Sequence, residues 1–292
     1  MDPRIVSVRP YPKVLIGELS ETTPSSIRSL EEEMLRAMRV YERFEGELSD
    51  DLKKEFMRRF KKMQIKMKLL REGVEPTPSA IHFYNALTVK LVESLARGDL
   101  SEELTPDLVA LNLERLNLLR GYLELLREEL EEERKKVKMD IMLTEIYSSG
   151  RESLRALAEL KGREYLLERD ILILQAMKLS TYLYLHECSD KLLNLLDLHE
   201  RSSILRARRI VGEVGDNYYR ERRREIEAEV EAILEKFDKS IEKVREKLAN
   251  LKKNISTAKL PENVKKTILA EVEEALKQID RVADLKDQYP TL

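Results

Sequence analysis

Three histidines, one cysteine and two dense groups of basic residues are the side chains of this chain whose types and spacing could do chemistry. His186-Glu187 and His199-Glu200 look like a repeated pair, yet thirteen residues of helix turn through roughly 1300° and leave the two on different faces. Neither is followed by a histidine four residues on, as a zinc-protease helix requires. No glutamate precedes any of the three histidines, His82 included, by three residues, as a di-iron bundle requires. Cys188 is two positions from His186, and such neighbours project to different faces of a helix, so a buried, inert thiol is expected. There is no phosphate loop, no Gly-x-Gly-x-x-Gly and no nucleophile elbow. Glu168, Arg169 and Asp170 border the most apolar stretch and read as an internal ion-pair network. These residues predict no catalytic group, no metal and no cofactor.

The basic groups carry more. Between positions 49 and 73, Lys54, Arg58, Lys61 and Lys62 fall roughly opposite a Phe and Met stripe and form a ridge that could neutralise backbone phosphates without reading sequence. An ordinary solvated face, compensated by acidic neighbours, explains the same pattern. Around Gly212 and Gly215 a second group comprises Arg206, Arg208, Arg209, Arg220, Arg222, Arg223 and Arg224, with Tyr218 and Tyr219 interleaved. Arginine forks grip phosphate and tyrosines stack on unpaired bases, so this is the better nucleic-acid signal. Arginines at such a joint also lock onto acidic helices, for instance 128–133, and no recognisable DNA- or RNA-binding module surrounds them.

Composition narrows the class. Charged residues make up 37% and hydrophobic residues 42%, with nine glycines and nine prolines in 292 residues. So many charges with so few chain breakers suit long helices, and the apolar share is enough to build a core. Basic and acidic residues number 53 and 55, so no whole-molecule field recruits nucleic acid or membrane, and any such contact must come from a local patch. The lone cysteine fits a reducing, cytoplasmic setting, and the amino-terminal sequence is unlike a signal peptide. The apolar run 171–185 contains Lys178 and is too short to span a bilayer. Absent tryptophan and scarce glutamine beside abundant Glu, Lys and Arg resemble a thermophile's composition.

The elements that must position these residues are legible from their punctuation. Residues 1–22 hold Val6, Val8, Val14, Leu15 and Ile16 among three prolines, which suits an extended arm or short edge strand. Thr23-Pro24, Thr77-Pro78 and Thr105-Pro106 each set a capping hydroxyl before a proline at the first helical position, and Ser49 is a further cap. Gly46, Gly73 and Gly98 can close the preceding helices. One helix is expected over 106–147, its charged portion 131–136 solvated or crossing between packed regions. A second long helix is expected over 152–211. Beyond Gly215, apolar residues from Ile226 to Ile255 recur at a mean step of about 3.6, and a matching stripe runs from Leu260 to Val282.

The resulting expectation is an all-α long-helix bundle over 23–215, a short extended N-terminal segment over 1–22, and a C-terminal antiparallel coiled-coil hairpin over 216–292 that stands clear as a rod. The function expected of it is that of a cytoplasmic, non-enzymatic scaffold or adaptor, binding protein partners or itself through helical surfaces, with no membrane contact. A sequence-independent nucleic-acid factor is the alternative.

Overall fold

The computed structural model describes residues 26–98, 106–147 and 151–288. Among them the fold is all-α: eight α-helices and one 3-10 turn, with no strand. In chain order these are α1 (Ser26–Phe44), the 3-10 turn Glu45–Glu47, α2 (Asp50–Arg71), α3 (Pro78–Arg97), α4 (Pro106–Tyr147), α5 (Arg151–Leu179), α6 (His186–Ile210), α7 (Asp216–Thr257) and α8 (Glu262–Gln288). Residues 1–22, and the caps at Thr23 and Thr105, lie outside the described residues.

The helix ends follow local chemistry. Ser49 accepts from the Leu52 backbone N–H at 3.4 Å and Thr77 from that of Ala80 at 3.1 Å, each satisfying an orphan first-turn donor. Gly73 and Gly98 take φ of 64° and 78°, the left-handed closure that glycine adopts without a Cβ penalty. Gly46 does not: it lies in the 3-10 turn.

The chain divides into two compact units. One contains α1, α2, the start of α3, α4 from Leu111 and α5 to Lys178. Its core is built from Leu116, Leu119, Tyr122, Leu123, Leu126, Ile173 and Leu174, all 1% exposed or less. Tyr41 stacks on Phe56 with ring centroids 4.3 Å apart, joining α1 to α2. Helices α4 and α5 run antiparallel, since their ion pairs climb one while descending the other: Lys161–Glu145, Glu168–Arg134 and Lys178–Glu124. The charged run of α4 is therefore not simply solvated, because it is ion-paired to α5 on one side and to α2 on the other. Asp170, 5% exposed, pairs with Arg169 at 3.0 Å, as a carboxylate beside the apolar stretch must.

Glu124 contributes to the acid sensitivity of this unit. Arg127 grips it through two nitrogens at 2.7 and 3.1 Å and Lys178 donates at 2.8 Å. The Arg127 hydrogen bond, with help from Lys178, holds the carboxyl at about 2 against an ordinary 4.5. A carboxylate depressed in the folded state contributes stability in full above its unfolded value and loses it as pH falls through the folded one. Glu124→Gln should flatten the fall in urea-unfolding stability between about pH 4.5 and 2, as followed by helical circular dichroism.

The other unit contains α3 from Asn85, the first residues of α4, Leu179, and everything described after it. Here the expected 152–211 helix is broken. Residues 180–185 form turns between α5 and α6, without glycine or proline, and Tyr184 takes φ of 63°. A tyrosine in the left-handed region is strained, and the surroundings must hold it there. Asn85 on α3, fully buried, donates its side-chain N–H to the Tyr182 carbonyl at 2.7 Å, beside the Leu185 backbone N–H that reaches the same oxygen at 3.2 Å. The Tyr184 hydroxyl donates to Glu93 at 2.7 Å, and the Lys247 ammonium lies 5.4 Å from its ring centroid.

Helix α7 has two partners in succession. Its first turns bury Tyr219, Ile226 and Val230 against Leu195, Leu198 and Leu205 of α6. Farther on it lies antiparallel to α8, with Lys252–Glu273, Arg245–Asp280 and Lys286–Asp238 marking the register. Residues 216–288 thus share a unit with α6 and do not stand clear of it as a rod, because the amino-terminal part of the stripe has found α6 as its apolar mate.

Candidate interaction surfaces

The turn between α6 and α7 carries the arginine group. Gly212, at φ 78°, closes α6, and Arg206, Arg208, Arg209, Arg220, Arg222, Arg223 and Arg224 are all exposed around it. Tyr219 is not: only 7% exposed, its ring belongs to the apolar cluster, so it offers no face to an unpaired base. Burial pushes the Tyr219 hydroxyl up, but hydrogen bonds from Arg206 and Arg223 outweigh this and leave it below its ordinary value. The Arg209 guanidinium lies 4.5 Å over the same ring. Neighbouring Tyr218, 45% exposed, is the solvent-facing member of the pair, with Arg222 5.6 Å from its ring centroid.

Most of these cations already have carboxylates. Arg208 pairs with Glu213 at 3.0 Å, Arg209 with Asp216 at 2.9 Å, Arg222 with Glu225 at 2.6 Å and Arg223 with Glu227 at 2.7 Å. Arg220 and Arg224, one helical turn apart, have no carboxylate partner among the described residues. Exposed pairs are weak and exchange readily, so the arrangement lowers the local field without locking it.

The ridge on α2 fares differently. Lys54 and Lys61 are exposed, but Arg58 and Lys62 retain only 15% and 17% of their side-chain exposure. Arg58 pairs with Glu132, and Lys62 with Glu129 at 2.9 Å, so two of the four cations face α4 instead of solvent. The Arg58 guanidinium holds the Glu132 carboxyl below the usual range. Beside these pairs lies a cleft of about 660 Å³ whose lining mixes the cations Arg58, Arg59, Lys62, Lys136 and Arg163 with the carboxylates of Glu55, Glu129, Glu132 and Glu133. A phosphate entering it would meet four carboxylates beside five cations. Sequence reading missed this because the compensation comes from α4, far along the chain.

Two apolar surfaces escaped the sequence reading as well. On the last turns of α4, Met139, Met142, Leu143, Ile146 and Tyr147 are all exposed, while Val137 and Ile141 on the same segment are buried. Their spacing of three, four, seven and eight from Met139 makes a helical stripe, and two stripes on one segment were the available signal. At the other surface, Ile204, Ile210 and Val211 near the end of α6 are 60%, 78% and 68% exposed.

A third feature is a shallow cleft of about 310 Å³ beside the strained Tyr184, lined by Glu93, Arg97, Tyr184, Lys247, Asn250 and Asn254. Elsewhere the catalytic ingredients stay apart. Cys188 is fully buried, and burial pushes its thiol up to about 11, so it is protonated near neutral pH. No group of three or more His, Cys, Asp or Glu could hold a metal ion, and no helix is long and apolar enough to cross a membrane, among the described residues. Comparison with protein-family models, curated proteins and solved structures finds no match.

Proposed function

We propose that this chain is a non-enzymatic helical scaffold that binds a protein partner, or a second copy of itself, through an exposed helix face. The observation that carries this reading is the stripe Met139, Met142, Leu143, Ile146 and Tyr147, left uncovered at the end of a 42-residue helix. An amphipathic face with anchors at these intervals is how helices dock into partner grooves, and methionines adapt to the surface they meet. Contiguous apolar exposure of this kind marks interaction sites. The antiparallel α7–α8 pair is read as a coiled-coil hairpin, supported by its three-rung ion-pair register. A cytoplasmic setting belongs to the same reading and is supported by the lone, buried thiol.

Sequence-independent nucleic-acid binding is the second reading, favoured by the exposed and uncompensated Arg220 and Arg224. It loses ground where Tyr219 is buried and where Arg58 and Lys62 already meet carboxylates. A double substitution separates the two. With Met142→Glu and Ile146→Glu, the light-scattering mass in concentrated solution and chemical crosslinking to co-purified proteins should both fall, while circular dichroism stays at wild type. Unchanged mass and crosslinking would remove the scaffold reading, and steeply salt-dependent retention on DNA would put the second in its place.

A further inference from the structure

The connection between α6 and α7 combines exposed aliphatic side chains with clustered arginines. Ile210 and Val211 are adjacent, aliphatic and 78% and 68% exposed, directly before the Gly212 closure. Around them, residues 206–227 hold seven arginines against Glu213, Asp216, Glu221, Glu225 and Glu227, a local surplus of two positive charges in a chain whose net charge is −2, with Arg220 and Arg224 the members that have no carboxylate partner among the described residues. Tyr218 adds an exposed ring with Arg222 beside it.

We infer that this turn is a membrane-docking tip: Ile210 and Val211 enter the headgroup layer of an anionic lipid surface while Arg206, Arg220 and Arg224 hold its phosphates. The chemistry selects that occupant over the other anionic ones. A nucleic-acid backbone gains nothing from two projecting aliphatic side chains, and the buried Tyr219 cannot stack on its bases. An acidic protein would need a preformed pocket to receive adjacent side chains at a helix end, whereas a lipid headgroup layer deforms around an apolar projection. Arginine near an anionic leaflet is favourable, and exposed tyrosine suits the interfacial layer. Neither a spanning helix nor a positive net charge is required, so the expectation of no membrane contact, drawn from those two properties, does not address a local tip. The tip is independent of the α4 face and of the scaffold reading.

The test is co-sedimentation of the full chain with vesicles of phosphatidylcholine alone and of phosphatidylcholine with about one third phosphatidylserine. Binding should appear on the anionic vesicles only and weaken as salt is raised from 50 to 300 mM. Ile210→Ser with Val211→Ser should weaken it about tenfold or more at constant salt, and Arg220→Ala with Arg224→Ala about tenfold. All four positions are exposed, and unchanged circular dichroism would certify the fold of each variant. Absence of binding at 50 mM salt, equal binding to neutral vesicles, or indifference to the Ile210 and Val211 substitutions would each overturn the proposal. A duplex oligonucleotide that binds wild type and the Ser variants alike and displaces both from vesicles would assign the arginines to nucleic acid and overturn it too.

Discussion

Replacing Phe237 by alanine is expected to cost about 3–5 kcal/mol of folding stability, the largest single effect this structure predicts. The side chain is fully buried on α7, where that helix lies against α8, and Lys286 of α8 lies 5.9 Å from the ring centroid. Truncation removes the transfer free energy of the ring and leaves a cavity between two packed helices. Urea unfolding followed by circular dichroism would measure the loss. A second outcome can be read from the same curve. If α7 and α8 unfold together with α6, to which Tyr219, Ile226 and Val230 tie them, the midpoint moves and the slope does not. A split transition would mean that the α7–α8 pair melts by itself.

The next largest effect is expected at Asn85. Its buried side chain donates to the carbonyl of Tyr182, which also accepts from the Leu185 backbone N–H at 3.2 Å, so Asn85→Ala removes one of that carbonyl's two hydrogen bonds and leaves a small cavity. Losing a buried hydrogen bond costs about 0.5–1.5 kcal/mol, to which the cavity adds. In a chain of this size that lowers the thermal midpoint by a few degrees, measurable by differential scanning calorimetry. Asn85→Asp should be worse than alanine near neutral pH, since an ionised carboxylate cannot donate to the carbonyl and would be a buried charge. The aspartate variant should regain part of the loss as pH falls and its carboxyl becomes a donor. Equal stability of the alanine and wild-type proteins would mean that the break between α5 and α6 needs no support from α3.

What the sequence made legible, and what it hid, follows from where each cause lies. The 42-residue span of α4 could be read because its cause is local: no breaker intervenes beyond Gly121, which the helix absorbs. The caps at Ser49 and Thr77 and the closures at Gly73 and Gly98 are short-range in the same sense. The interruption at 180–185 has no local signal. It rests on Asn85, 97 residues away, and on Glu93 and Lys247 around Tyr184. The α2 ridge looked like a free basic face because Glu129 and Glu132, which neutralise half of it, are known only once α2 and α4 are aligned. Tyr218 and Tyr219 are adjacent letters with opposite fates, one solvent-facing and one in the core, and only the placement of α6 assigns them.

The break beside Tyr184 also bears on how the chain acquires its shape in time. A peptide cut from 165–198 carries no glycine or proline and has every local reason to coil straight through 180–185. The bend is met by a carboxamide that leaves the ribosome nearly a hundred residues earlier. During synthesis the receiving helix is thus already made when the segment it must deflect emerges, whereas a circular permutant beginning after α3 would offer the straight conformer first and would have to unwind it later.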